Sequence, residues 1–404
     1  MSDSTIGIAE SVTEGHPDKV CDLISDAILD EILAQDPFGR CACEILLTRG
    51  LVLVAGEIST SARVELAEIV RRVVGNVGYT DAALGLDSEA CAVVTAINGQ
   101  SCELEDALEA GGANDQALVF GYACDDTDDL MPMPIWLAHR LSRRLADVRR
   151  GETLPYLRPD GKVQVAVSYE GGTPTRLESI VIAAQHDVDV DRDEMTSDLL
   201  AQVVEPLVPE ALDLSSMRFA VNRPGPFVTG GAAADTGLTG RKVIVDTYGG
   251  AARHGGGALS GKDPSKIDRS AAYGARWIAK HIVARGLARR AEVQLSYAIG
   301  EREPTSFSVE MFGTGSSTSH EIEREVRRCF DLTPAGWIRD LDLRRPIYER
   351  TACYGHFGRS DVDLPWESIQ RMARSGGRGD RLTNAQGRGL EVTNADFNCM
   401  CGQV

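Results

Sequence analysis

Strand-like and helix-like segments alternate along the whole chain, and this alternation restricts the fold to the mixed α/β (α+β) class. Residues 45–54, 163–169, 177–184 and 243–248 are rich in β-branched and apolar side chains with turn residues between them, and they read as strands. Residues 18–34 read as a helix, because Val20, Leu23, Ile24, Ala27, Ile28 and Ile32 recur at helical spacing. Pro17 suits the first turn of that helix and Pro37 stops it. A second long helix is expected over 264–285, with Asp263 as N-cap and Gly286 as its C-terminal stop. At about 100–200 residues per domain, 404 residues predict two to four domains.

Composition serves mainly to exclude. Hydrophobic residues make up 43% and charged residues 25%, which rules out a disordered or low-complexity chain. The net charge of −18, from 42 basic and 60 acidic residues, argues against nucleic-acid or anionic-membrane partners. It also makes any local cluster of Lys and Arg stand out. There is no apolar run of about 18 residues, and residues 1–10 lack the pattern of a secretory signal, so a cytoplasmic, non-membrane protein is expected. The ten cysteines form no zinc pattern. Cys41/Cys43 and Cys399/Cys401 are C-x-C pairs, and reduced, mostly buried thiols are expected.

Three glycine-dense stretches, 99–121, 222–240 and 248–270, interrupt the regular pattern, and loops of that length inside a domain usually carry function. Two share an echo, Gly-Gly-Ala-Asn-Asp at 111–115 and Gly-Gly-Ala-Ala-Ala-Asp at 230–235. Gly256 through Lys262 has the G-x-x-x-x-G-K spacing of a phosphate loop. Asp263 stands where such a loop needs a Ser or Thr to ligate magnesium, so the standard nucleotide loop is set aside. The underlying physics remains: glycine backbone, an adjacent helix start, Lys262 and Lys266 suit a phosphate.

Arg241-Lys242 and Lys162 are further basic candidates, and Asp115, Asp160, Asp235 and Asp268 are loop carboxylates facing them in the reading. Asp235, six residues before Arg241, suits magnesium or a substrate ammonium. In Glu14-Gly-His-Pro-Asp-Lys19, Asp18 can hold a phosphate-bound magnesium and His16 can hydrogen-bond a leaving oxygen at a helix start. Asp22, Asp26 and Asp30 follow at spacing four and read as a solvated helix face. There is no G-x-S-x-G elbow, H-E-x-x-H motif or dinucleotide fingerprint, so chemistry is expected to rest on positioning and charge neutralisation.

Taken together, Glu10-Ser-Val-Thr-Glu-Gly-His-Pro-Asp-Lys19, Gly111-Gly-Ala-Asn-Asp-Gln116, Gly237-Leu-Thr-Gly-Arg-Lys242 and His254-Gly-Gly-Gly-Ala-Leu-Ser-Gly-Lys-Asp-Pro-Ser-Lys266 closely resemble the S-adenosylmethionine synthetase family. Asp246-Thr-Tyr-Gly-Gly250, Ser296-Tyr-Ala-Ile-Gly300 and Tyr354-Gly-His-Phe-Gly358 support the match, which runs from about Ala9 to Glu367. The resemblance implies three similar α/β units around a pseudo-threefold axis, here bounded at 1–101, 112–229 and 230–368; residues 369–404, rich in Gly, Arg, Asn and Ser and exceeding the family's usual ending, read as a mobile tail. It implies a homodimer or homotetramer with active sites between subunits. It also implies attack of the methionine sulfur on C5′ of ATP, with the released triphosphate hydrolysed to pyrophosphate and phosphate.

By the same resemblance, His16 contacts the departing oxygen, while Lys162, Arg241, Lys242 and Lys262 hold phosphates. Asp160, Phe227 and Ala258 lie at the nucleotide, and Glu57, Gln100, Asp235 and Lys266 take the charged ends of L-methionine. Asp115 lies at the nucleoside or the nascent sulfonium. Asp18 and Asp268 ligate magnesium, two ions per site, and Glu44 a potassium ion. Rival readings are an unrelated kinase, a silent regulatory paralogue, and a variant taking a methionine analogue.

Three departures stand out. Ala117 replaces a family glycine and requires negative φ. Asn222-Arg-Pro-Gly-Pro-Phe227 replaces Asn-Pro-Thr-Gly-Arg-Phe, losing one candidate nucleotide contact. The chain between Gln100 and Asp115, the family's gate over the site, is short.

Overall fold

The computed structural model describes residues 4–99, 111–223 and 225–369. A succession of strand, helix, hairpin and helix recurs three times, closed by a further strand in the first two rounds and by a helix in the third. First come strand β1 (Ser4–Val12), helix α1 (Pro17–Gln35), the hairpin β2 (Arg40–Thr48) and β3 (Leu51–Ser59), and helix α2 (Leu66–Val77). The two-residue strands β4 (Thr80–Asp81) and β5 (Leu86–Asp87) pair with each other before β6 (Ala92–Asn98). The second round is β7 (Ala117–Cys124), α3 (Met133–Arg150), the hairpin β8 (Leu157–Glu170) and β9 (Thr173–His186), α4 (Arg192–Leu199) and β10 (Arg218–Val221). The third is β11 (Gly237–Leu238), the short α5 (Val243–Asp246), α6 (Ile267–Ala284), the hairpin β12 (Arg290–Tyr297) and β13 (Ser306–Glu310), α7 (Ser319–Cys329) and α8 (Pro334–Asp340).

The sheets do not follow these rounds. The three large sheets run β11-β2-β3-β6, β1-β8-β9-β10 and β13-β12-β7. The leading strand of each round therefore leaves its own hairpin and pairs antiparallel with another round's: β1 on β8, β7 on β12, β11 on β2. In the first two rounds the closing strand lies parallel to the second hairpin strand, β6 on β3 and β10 on β9, after a helical crossover.

Local sequence explains most of these elements. His16 is the N-cap of α1 and Pro17 occupies its first turn, while Cys41, Cys43, Ile45 and Leu47 give β2 its buried alternate face. One core runs from α1 and the first sheet through α6 to α8; a second lies between α3 and the β8–β9 hairpin. Cys21, Cys41, Cys43, Cys91, Cys124 and Cys353 are buried free thiols. Among the described residues, no helix is long and apolar enough to cross a membrane.

Four expectations are corrected. Residues 45–54 are two strands, because Gly50 turns the chain at φ +69°. Residues 243–248 are a helical turn and a bend despite their β-branched run. The Asp246 amide bonds the Lys242 carbonyl, and Gly249 and Gly250 take positive φ just beyond. The second long helix starts at Ile267, after Lys266 as N-cap; Asp263 instead accepts the Ser265 amide. Asp22 and Asp26 are fully buried, so the acidic stripe of α1 is no solvated face. Gln100 and the tail from residue 370 lie outside the described residues.

Candidate active site

The start of α1 is fixed by chain crossings that leave little freedom. The Thr13 amide donates to the Gly161 carbonyl at 2.9 Å and the Thr13 hydroxyl to the Pro159 carbonyl at 2.7 Å. A Cβ on Gly15 would stand 2.2 Å from the Pro159 oxygen, so only glycine passes here. His16 follows, its Nδ1 accepting the Asp18 amide at 3.2 Å. Burial, and then the Lys242 ammonium, lower its pKa to about 4, so the imidazole is neutral at pH 7. With Nδ1 used as acceptor, the proton sits on Nε2 and is available to donate.

Asp18 lies one step inside. Its Oδ1 accepts the Leu238 amide at 3.0 Å, its Oδ2 accepts from Lys242 Nζ, and Arg241 Nη1 stands 3.7 Å from Oδ1. Burial opposes its charge, but Lys242 and the Leu238 amide outweigh it and hold the carboxyl below its ordinary value. Asp160 accepts the Gly231 amide at 2.8 Å and is pushed up to about 6 by burial. Lys162, two residues on, pairs with Glu10 at 2.6 Å. Asp235 is exposed but near enough to His16 to act on its ionisation. Thus His16, Asp18, Asp160, Asp235, Arg241 and Lys242 form one group.

A second group gathers at the start of α6. Lys262 Nζ pairs with Asp268 at 2.6 Å, and the buried Lys266 with Asp263 at 3.2 Å. The side chain of Asn114 accepts the Ile267 amide at 2.7 Å, which places the 111–116 segment against this helix start and Asp115 beside it. The glycine echo has a structural counterpart: Asp115 accepts the Gln116 amide at 2.7 Å and Asp235 the Thr236 amide at 2.8 Å. Ala117 opens β7 and is not among the positive-φ residues, so its replacement of glycine is accommodated.

Ala42 bridges to Lys262 and is paired with Glu57 on β3. Glu44 is two residues beyond Ala42 on β2, so both carboxylates share a sheet face with Lys262. Ala258 packs under Gly240, joining the 254–262 loop to the loop of the first group. Phe227 exchanges hydrogen bonds with His186 and lays its ring over Gly230. The cleft between α3 and residues 354–361, lined by Trp136, Arg140, Arg143 and Tyr354, holds none of the site residues named from sequence.

Sequence reasoning missed Lys19, Asp22, Asp26, Asn114 and Arg269, all of which hold these loops in place. An available signal was that α1 carries no basic residue after Lys19, so its acidic stripe lacks the i,i+4 partners of an ordinary solvated face.

One expectation follows directly. In an NMR titration of the seven histidines, with His16→Asn supplying the assignment, His16 is expected to titrate near pH 4. The stability contributed by its neutral form is complete above the ordinary value of 6.5 and is lost as pH falls from 6.5 towards 4. A midpoint above 6 would overturn the neutral assignment.

Comparison with known proteins gives three successive family matches: "S-adenosylmethionine synthetase, N-terminal domain" over residues 4–102, "central domain" over 110–227 and "C-terminal domain" over 229–368. The chain is also 55% identical over 377 residues to the S-adenosylmethionine synthase of Desulforudis audaxviator (strain MP104C), covering 90% of this chain and 95% of that protein.

Proposed function

Since the chain belongs to the S-adenosylmethionine synthetase family and forms S-adenosylmethionine from ATP and methionine, we propose how its residues divide that work. The sulfur of methionine attacks C5′ of ATP. The S–C5′ bond forms, the C5′–O bond breaks, and its electron pair leaves on the triphosphate. A neutral thioether needs no general base, so the barrier lies in expelling a highly charged group. His16 donates from Nε2 to the departing oxygen, and Lys162, Arg241, Lys242 and Lys262 hold the phosphates. Asp160, Phe227 and Ala258 border the nucleoside. Glu57, Gln100, Asp235 and Lys266 take the charged ends of methionine, and Asp115 faces the nascent sulfonium. Alignment of sulfur, carbon and oxygen supplies much of the remaining acceleration.

The observation that supports this reading is geometric: His16 stands beside Asp18, Arg241 and Lys242 at one helix start. Asp18 also fits a magnesium ion: it is a buried hard-oxygen ligand, and among the described residues no group of three or more His, Cys, Asp or Glu forms a closed cage. One carboxylate sharing the ion with substrate phosphates is a common magnesium arrangement. Asp18 and Asp268 would hold two magnesium ions and Glu44 a potassium ion; when bound, the divalent ions neutralise charge developing on the triphosphate. The self-association that active sites between subunits of a homodimer or homotetramer require is supported by Ile6, Ile8 and Val94, 59%, 58% and 48% exposed on sheet strands.

The test is product formation from ATP, methionine, magnesium and potassium, with sedimentation to fix the assembly. Absence of S-adenosylmethionine would favour the silent-paralogue reading. Lys266→Met separates the roles. It is expected to raise the KM for methionine by about thirtyfold while tripolyphosphate hydrolysis changes by less than about threefold. Equal loss of both would contradict a methionine-binding Lys266.

A further inference from the structure

The acidic stripe of α1 stands at the rear of the phosphate-directed loops. At successive helical turns, Asp18 accepts the amide of Leu238, Asp22 that of Gly240, and Asp26 that of Gly261, at 3.0, 2.8 and 2.8 Å. The fourth, Asp30, accepts the amides of Tyr348 and Glu349. Thus three turns of one helix grip the 237–242 and 254–262 loops through their backbone, immediately before Arg241-Lys242 and Lys262.

The grip is tightest at Asp26. Its Oδ1 and Oδ2 receive Arg269 Nη1 and Nη2 at 2.7 and 2.9 Å, and both side chains are fully buried. Arg269 Nη1 also donates to the Lys262 carbonyl at 3.0 Å, and the Gly261 carbonyl accepts the Cys43 amide at 3.0 Å. Gly261 itself has φ +81°, and a Cβ there would meet the Cys43 oxygen at 2.1 Å. The amide before Lys262 and the carbonyl after it are therefore both pinned by one buried carboxylate–guanidinium pair, which fixes where the Lys262 stem begins. Asp22 is itself braced by Lys19, which bonds Asp22 at 2.9 Å, Asp246, and the Ala352 carbonyl at 2.8 Å.

We propose that Asp26, acting with Arg269, is a positioning residue for the reaction, and that it works by setting the reach of Lys262 towards the triphosphate. Asp22 does the same for Arg241 and Lys242. The proposal rests on the assignment of Lys262 to the phosphates, and the test keeps the two apart.

The experiment is a double-mutant cycle on kcat/KM for ATP with the full-length enzyme: wild type, D26E, K262M and D26E/K262M, with thermal unfolding of each. Glutamate keeps the charge but lengthens the arm by one methylene, shifting the Gly261–Lys262 backbone. D26E is expected to lower kcat/KM by about thirtyfold in the wild-type background and by less than about threefold on K262M, because contacting groups couple. Equal losses in both backgrounds, or a loss that merely follows the fraction of folded protein, would overturn the proposal. If K262M alone leaves kcat/KM unchanged, the assignment of Lys262 fails instead, and the proposal falls with it. Should D26E not fold, R269K serves in the same cycle: lysine keeps the charge beside Asp26 but cannot also hold the Lys262 carbonyl.

Discussion

Replacing Lys262 with methionine is expected to lower kcat for S-adenosylmethionine formation by about a hundredfold, roughly 3 kcal/mol of lost stabilisation of the leaving triphosphate. Methionine keeps an unbranched stem of similar length, so packing around Gly261 and Ser260 is little disturbed while the charge is removed. The ammonium stands 2.6 Å from Asp268, and the loop carrying it is tied to β2 and α1 by backbone hydrogen bonds. It is thus a cation placed before the substrate arrives, which is the condition under which a single charge contributes most to catalysis. Steady-state kinetics with saturating methionine give the answer, and a fall of less than about threefold would remove Lys262 from the reaction.

The largest expected effect on stability is at Arg276. This guanidinium is fully buried on α6, and each of its five N–H groups has an acceptor. Nε and Nη2 meet the two Glu367 oxygens at 3.0 and 3.1 Å, Nη1 donates to the Tyr122 and Leu130 carbonyls at 2.7 and 2.8 Å, and Nη2 to the Asp129 carbonyl at 2.8 Å. Arg276→Met would take a donor from three carbonyls, of which Leu130 keeps the Cys124 amide at 3.3 Å, and leave Glu367 with Lys280 as its remaining cation, at 2.6 Å. Urea unfolding at fixed protein concentration is expected to show a loss of about 3–5 kcal/mol. Arg276→Lys should recover less than half of it, since an ammonium cannot span the fork. A loss below about 1 kcal/mol would mean that the network relaxes around the gap.

Much of the candidate site was legible in the sequence because the residues proposed for it lie close together in loops that the fold brings into two groups. His16 with Asp18, Arg241 with Lys242, and Lys262 with Lys266 each announce themselves by type and spacing. What escaped was whatever depends on a partner far along the chain. The first amide of α6 is accepted by the side chain of Asn114, 153 residues away, and no local pattern reveals it. The stripe Asp22, Asp26 and Asp30 has the same spacing whether it faces water or a buried arginine 243 residues away. The run Val243-Ile244-Val245 has strand propensity, which was overridden by an adjacent turn and the demand of Lys19 for Asp246.

The way each round lends its first strand to another also sets a timetable for the growing polypeptide. Residues 4–12 leave the ribosome long before 157–170, the segment that will accept them, and β2 keeps one flank open until 237–238 is made. For most of its synthesis the nascent chain therefore carries unpaired backbone edges that only later segments can cover. Such long-range pairings are slow to close. Truncation at either internal seam should accordingly yield aggregates in place of a smaller working protein, and chaperone demand should fall once residue 297, the end of the strand that covers β7, has emerged.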